Sequence, residues 1–202
     1  GLRHIVGYSR TNHWSDEYGR SLHNGHITIL GGGGIATALL RLVQPFNCHV
    51  TIVRNQVQAM PGADVVVGPD RLADTLPGAD AVVVALALTP TNIGIIGRTE
   101  LELMEPHAWL INVGRGRHVV TDDLVSALRN NTIGGAALDV TEPEPLPSEH
   151  PLWTLPNCVI TPHVGNTAEM VPPLLSERIT ANIRRFATGQ PLIGLLSREL
   201  GY

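Results

Sequence analysis

A short apolar run, His26-Ile-Thr-Ile-Leu30, stops at four consecutive glycines, Gly31 to Gly34. A stretch with helical periodicity follows from Thr37 to Val43 and ends before Pro45. A second apolar run, Val50-Thr-Ile-Val53, comes next. Glycine lacks the Cβ that forbids most positive φ values, so it lets a chain turn sharply out of a strand and into a helix. Strand, glycine turn, helix and strand in that order form a βαβ unit, with its two strands parallel and joined by the crossing helix.

The alternation continues along the chain. Strands are predicted at Asp64-Val-Val-Val67, Ala81 to Leu86, Trp109-Leu-Ile-Asn112, Ala136-Ala-Leu-Asp139 and Val159-Ile160, with a short polar-faced segment from Asp70 to Leu76. A helix is predicted to begin at Thr121-Asp-Asp-Leu124, with the threonine hydroxyl as N-cap and two acids where the helix dipole favours them. A long helix is predicted from about Ala168 to Ala187. Strand-length apolar runs alternating with amphipathic stretches indicate an α/β protein, a doubly wound parallel sheet of Rossmann type. The dinucleotide-binding domain is expected over residues 26–188, with an N-terminal arm or helix end at 1–25 and a C-terminal tail at 189–202.

Composition narrows the classes of partner. Hydrophobic residues make up 43% of the 202 and charged residues 16%, enough for one good core and too apolar for a disordered tail. The formal net charge of -4, with no Lys/Arg cluster, is the wrong footprint for nucleic acid. The longest apolar stretch, Ala81 to Leu88, falls far short of the roughly 20 residues that span a bilayer. With no signal-peptide pattern either, a cytoplasmic protein without membrane contact is expected. Cys48 and Cys158 have no metal-ligand spacing and read as reduced packing residues.

Without a Cβ in the way, a pyrophosphate can approach the backbone and be held by amide N–H groups at a helix N-terminus. Gly31, Gly33 and Ala36 occupy the three positions of that fingerprint, which predicts a dinucleotide site; a tight turn without ligand is the alternative. Arg54 stands where the second strand ends, beside the expected adenosine ribose. A cation there accommodates a 2′-phosphate and favours NADP(H) over NAD(H). A solvated arginine at a strand end is the other reading.

Three further residues have the chemistry to act on a small acid. Arg115 follows a predicted strand between Gly114 and Gly116, and a planar guanidinium can grip a carboxylate with two hydrogen bonds. His163, bracketed by Pro162 and Gly165 at another strand end, is a candidate proton donor or acceptor. Glu144, if near that histidine, would favour the imidazolium and keep the proton loaded. Asp139 has two open readings, acceptor for a nicotinamide carboxamide or cap of a turn. His23, His26, His107 and His118 show no metal-ligand spacing and read as surface or packing residues, so no metal site is expected.

Together these residues resemble the cofactor-binding half of the D-isomer-specific 2-hydroxyacid dehydrogenases. The resemblance runs from about Trp14 to Tyr202 through Leu86-Ala-Leu-Thr-Pro90, Ile111-Asn-Val-Gly-Arg-Gly116, Leu138-Asp-Val140, Glu144-Pro-Leu-Pro147 and Thr161-Pro-His163. It implies an oxidoreductase that moves a hydride between NAD(P)H and a small 2-oxo or 2-hydroxy acid, with Arg115, Glu144 and His163 catalytic. It resolves Asp139 towards the nicotinamide and extends cofactor contact to Gly34, Ile35, Thr89, Val113, Gly114, Arg115, His163 and Gly165. Arg54 and the stretch Val140 to Pro147 are most similar to NADPH-preferring glyoxylate/hydroxypyruvate reductases. A phosphoglycerate-type NAD-dependent dehydrogenase and a non-catalytic dinucleotide sensor or corepressor are the alternatives.

Three departures qualify the likeness. Ala87 stands where the family usually has proline, and Gly34 replaces a larger residue, so both changes would loosen the cofactor site. The family also carries a substrate domain ahead of this region that this chain largely lacks, so the chain alone is expected to bind dinucleotide but to be inactive. Pairing of cofactor domains in the family implies a homodimer, with Trp14 and Tyr18 of the arm on the partner.

Overall fold

The computed structural model describes residues 19–197. The expected arm contact through Trp14 and Tyr18 lies outside those residues. Two compact units divide between Pro162 and His163.

In the first unit, seven strands form one sheet: β1 (His26–Leu30), β2 (His49–Val53), β3 (Val65–Val67), β4 (Ala81–Val84), β5 (Trp109–Asn112), β6 (Gly135–Leu138) and β7 (Cys158–Ile160). Every pairing is parallel and the order is β3-β2-β1-β4-β5-β6-β7, so the winding reverses beside β1. This is the doubly wound arrangement expected, and ligands of such sheets bind outside the carboxyl ends of the strands at the reversal. Short β-branched runs suit it because a parallel sheet with both faces covered requires apolar side chains on both sides.

Side chains of successive strand residues alternate between the faces. Ile27 and Ile29 of β1 join Val50, Ile52 and Val83 beneath the first helix, α1 (Gly34–Val43), which contributes Ala36, Leu40 and Val43 at helical spacing. Leu30 points the other way, into a larger cluster with Val82, Val84, Leu110, Ala136 and Leu138. The remaining helices of this unit, α2 (Arg98–Leu103) and α3 (Thr121–Arg129), supply Leu101, Leu124, Val125 and Leu128 to that second cluster.

Several boundaries differ from the sequence reading. α1 opens at Gly34 rather than Thr37, because glycine at a helix start costs little when it leaves room above the first turn. β4 stops at Val84, two residues before Leu86: the Ala85 N–H still bonds the Leu30 carbonyl, and the chain then turns away. Thr121 is not an N-cap. Val120 holds that position without a side-chain cap, and the Thr121 hydroxyl donates instead to the Glu142 carbonyl at 2.7 Å. The six-residue α2 is too short for periodicity to reveal; its start is marked by the Glu100 carboxylate accepting from the Gly97 N–H at 2.9 Å.

The second unit holds α4 (Val171–Ala187), which begins three residues later than predicted, with Pro172 and Pro173 in its first turn where no intrahelical donor is needed. The segment after it folds back on the helix: Asn182 accepts from the Ile193 N–H at 2.8 Å and donates to its carbonyl at 3.1 Å. None of the helices among the described residues is long and apolar enough to cross a membrane.

Candidate active site at the carboxyl edge of the sheet

Strand register gathers the site. Leu30 pairs with Val53 and Val84, Val84 with Asn112, Asn112 with Leu138, and Leu138 with Ile160. These are the last residues of their strands, so Gly31, Arg54, Ala85, Val113, Asp139 and Thr161 all leave the sheet along one edge. Residues far apart in sequence are thereby brought within reach of one elongated ligand.

Gly31 turns at φ 114°, and a Cβ there would lie 2.5 Å from the Ala85 carbonyl oxygen, so only glycine fits. Gly33 precedes the helix as its N-cap with no side-chain bond to the first turn. The first intrahelical bond runs from the Thr37 N–H to the Gly33 carbonyl, which leaves the amides of Gly34, Ile35 and Ala36 ahead of it as potential donors. A Cβ at Gly33 or Gly34 would meet nothing within 4 Å, so open space lies over those donors. Ile35 is exposed beside them, whereas Ala36 is buried against the sheet. An anionic pyrophosphate fits this cradle by charge and by room.

Arg54 follows β2 directly, and its N–H is fixed by the Val67 carbonyl at 2.9 Å. Its side chain bends over the glycine turn: a Cβ on Gly32 would lie 2.8 Å from Arg54 Cδ. The guanidinium donates to the Gln56 side-chain oxygen at 3.4 Å. Thr89 begins the short turn Pro90–Asn92, where Asn92 Oδ1 accepts the Thr89 N–H at 2.9 Å and Asn92 Nδ2 donates to the Ala87 carbonyl at 2.8 Å. These two bonds shape the loop over the edge despite the missing proline at Ala87.

Past β5, Val113 packs towards the α1 side of the sheet. Asn112 is 1% exposed; its Oδ1 accepts from the Gly114 N–H at 3.0 Å and its Nδ2 donates to the Arg115 carbonyl at 2.9 Å. The motif reading gave Asn112 no role. Its signal was an amide side chain two residues before a glycine at a strand end, the pattern of a side chain that closes a turn on its own backbone. Arg115 itself is exposed, and its guanidinium donates to the Gly114 carbonyl at 2.6 Å.

The segment that carries Glu144 abuts this turn. A Cβ on Gly116 would sit 1.9 Å from the Thr141 carbonyl oxygen, so the glycine permits contact between the two backbones. Thr121 from α3 and Thr141 hold the Glu142 and Pro143 carbonyls at 2.7 and 2.9 Å. At the next strand end, Asp139 Oδ1 accepts the Thr161 hydroxyl at 2.6 Å, which orients the carboxylate by a neighbour's side chain. Arg115, Glu144 and Asp139 thus belong to the first unit. His163 and Gly165 open the second, and His163 has φ 54°, a left-handed conformation that a non-glycine residue adopts at a cost.

His118, read from sequence as a surface or packing residue, is fully buried behind Arg115. Among the described residues Arg20, Arg71 and Arg98 form ion pairs with Asp80, Asp74 and Asp123. Among the same residues Arg54 and Arg115 bond only neutral oxygens. Two guanidiniums without carboxylate partners therefore stand at the same edge as a row of helix-start amides.

Comparison with known proteins agrees with this fold. Residues 2–165 match the D-isomer specific 2-hydroxyacid dehydrogenase, NAD binding domain. The chain is 34% identical over 176 residues to glyoxylate/hydroxypyruvate reductase A of Serratia proteamaculans, covering 87% of this chain and 56% of that one. It is 44% identical over 179 residues to an uncharacterized protein in the proB 3′ region of Corynebacterium melassecola, 89% and 59% of the two chains. It therefore spans less than two thirds of these relatives' length. All of it superimposes on 82% of a D-isomer specific 2-hydroxyacid dehydrogenase of Xanthobacter autotrophicus solved with NADPH and MES, at TM-score 0.90 and 31% identity. It also covers 64% of the NADPH-dependent glyoxylate/hydroxypyruvate reductase of Sinorhizobium meliloti solved with NADP and sulfate, at TM-score 0.89 and 26% identity. A doubly wound sheet with its glycine cradle at the reversal, together with the family match over most of the chain, identifies this protein as a member of the D-isomer-specific 2-hydroxyacid dehydrogenase family, represented by its NAD-binding domain.

Proposed function

We propose that this chain is the nucleotide half of an NADPH-preferring reductase of small 2-oxo acids, of the glyoxylate or hydroxypyruvate kind. The observation that carries the reading is the pair of arginines, Arg54 and Arg115, which among the described residues bind only neutral oxygens at the edge where the helix-start amides lie open. Both guanidiniums are available to anions. Arg54 would take the 2′-phosphate of NADP(H), and the amides of Gly34, Ile35 and Ala36 the pyrophosphate. Thr89, Val113 and Gly114 would line the cofactor, with Asp139 at its carboxamide. When bound, the nicotinamide supplies or accepts the hydride.

Arg115 would grip the substrate carboxylate with two parallel hydrogen bonds and so fix the reacting carbon. His163 would donate a proton to the carbonyl oxygen during reduction and take it back during oxidation, with Glu144 favouring its charged form. The motif Thr161-Pro-His163 and the left-handed backbone of His163 support that assignment. Relatives of greater length support the view that a further domain completes the site, so that these residues alone turn over little substrate. A homodimer in the cytoplasm fits the resemblance.

The test is a panel of glyoxylate, hydroxypyruvate and 3-phosphohydroxypyruvate against NADPH and NADH with full-length protein. Faster reduction of the first two with NADPH is expected. Binding of cofactor without turnover of any oxo acid would favour a sensor instead.

A further inference from the structure

We infer that His118 is a positioning residue for Arg115: its buried imidazole accepts the Arg115 backbone N–H and so fixes the direction in which the guanidinium leaves the turn. The inference rests on the reading of Arg115 as the group that holds the substrate carboxylate.

His118 is 0% exposed and ends the short turn Gly116–His118. The Arg115 N–H donates to His118 Nδ1 at 3.1 Å, and the His118 N–H donates to the Arg115 carbonyl at 3.1 Å. Peptide groups on both sides of the Arg115 Cα are therefore tied to one residue. Asn112 Nδ2 adds a second donor to the same carbonyl, so the Arg115 backbone has no loose end. The ring also underlies Gly114, where a Cβ would lie 3.0 Å from His118 Nδ1 and 3.0 Å from the Leu86 carbonyl oxygen. Imidazole, glycine and the loop after β4 form one packed layer beneath the arginine.

A neutral imidazole that accepts through Nδ1 must carry its proton on Nε2. Among the described residues the buried Nε2 has no hydrogen-bond partner. Leaving such a group unsatisfied costs free energy, and a phenyl ring of similar shape would bury without that cost. What the imidazole supplies, and a hydrocarbon ring would not, is the acceptor at Nδ1. Burial, with the Arg115 charge acting in the same sense, keeps the ring below its ordinary titration range and hence neutral, against the opposing effect of its backbone contacts. Protonation would turn Nδ1 into a donor facing another donor.

Full-length protein, glyoxylate and NADPH supply the test. His118→Phe should raise KM for glyoxylate about tenfold, the cost of one lost hydrogen bond with an orphaned buried amide, and leave NADPH affinity unchanged. His118→Asn, which places a side-chain oxygen near the Nδ1 position, should restore KM to within about twofold, because the acceptor returns. A packing role alone would not discriminate between these variants in KM. Independently of folding in either variant, the nitrogen resonances of wild-type His118 should show an unprotonated Nδ1 and a protonated Nε2. Unchanged KM in His118→Phe, no recovery in His118→Asn, or a proton on Nδ1 overturns the inference. Wild-type protein that reduces no oxo acid with either cofactor overturns the reading of Arg115 itself, and the inference falls with it.

Discussion

The two edges of one sheet handle their polar groups in opposite ways. At the amino edge the charges neutralise one another: the Asp80 carboxylate accepts from the His26 N–H and the His107 imidazole, each at 2.8 Å, and lies 3.5 Å from the Arg20 guanidinium. Asp64 accepts the Val50 N–H at 2.7 Å and faces His49 at 3.7 Å. At the carboxyl edge Arg54 and Arg115 meet no carboxylate among the described residues, and the amides at the start of α1 precede the first helical bond. A cluster that satisfies itself fixes strand ends. Cations and amides left to neutral groups or open space form a surface that an anion completes.

The largest effect is expected from the proposed proton donor. His163→Ala in full-length protein should lower turnover by about a hundredfold to ten-thousandfold while cofactor affinity, followed by quenching of protein fluorescence, changes little. A loss of binding equal to the loss of turnover would move His163 out of the proton-transfer role.

Arg54→Asp should reverse the cofactor preference, costing NADPH about tenfold to a hundredfold in affinity through the lost charge-assisted bonds and repulsion of the phosphate. Titration of the wild type should show the NADPH advantage shrinking as salt rises, because an accessible phosphate contact is screened. Equal affinity of the wild type for NADPH and NADH would make Arg54 an ordinary strand-end charge.

Gly116→Ala probes how the carboxyl edge is assembled. Its Cβ would sit 1.9 Å from the Thr141 carbonyl oxygen, a backbone atom that cannot swing aside. Chemical denaturation should show a loss of about 1–3 kcal/mol, the usual cost of overpacking. No change would mean that the Glu144 segment does not rest on the Arg115 turn.

The smallest effect is expected at the amino edge. Burial raises the Asp80 carboxyl, but the His26 N–H, the His107 imidazole and the Arg20 charge outweigh it and hold the group below its usual range. A depressed folded value means that the carboxylate's stabilising contribution is complete above the ordinary value of about 3.8 and is lost as pH falls through the lower folded one. Asp80→Asn should therefore lower the melting temperature modestly at neutral pH and flatten its decline below pH of about 4, without altering cofactor affinity. Altered cofactor binding in this variant would show that the two edges are coupled.

Local rules were enough for the strands and for the glycine turn. The unit from His26 to Val53 is legible because Gly31 must adopt positive φ and the flanking runs have strand and helix periods, all set within a few residues. Arg115 and His163 were legible as motif residues between glycines or beside proline. Asn112 and His118 were not, because their roles depend on which backbone groups their side chains face after the turn closes. Thr121 misled for the same reason: as an N-cap its hydroxyl oxygen would accept a backbone N–H, whereas packing against the Glu142 segment makes the hydroxyl donate to that carbonyl instead.

The order of apolar runs and glycines, by itself, determined a parallel α/β sheet and the turn at which a dinucleotide fits, because backbone sterics and side-chain periodicity act over short distances. Tertiary structure decided that Gly31, Arg54, Val113 and Asp139 leave the sheet along one edge, that Gly116 must admit the Thr141 backbone, and that His118 lies beneath Arg115. Those facts join residues from four strand ends and the turns that follow them, and register and close packing between distant segments are what fix them.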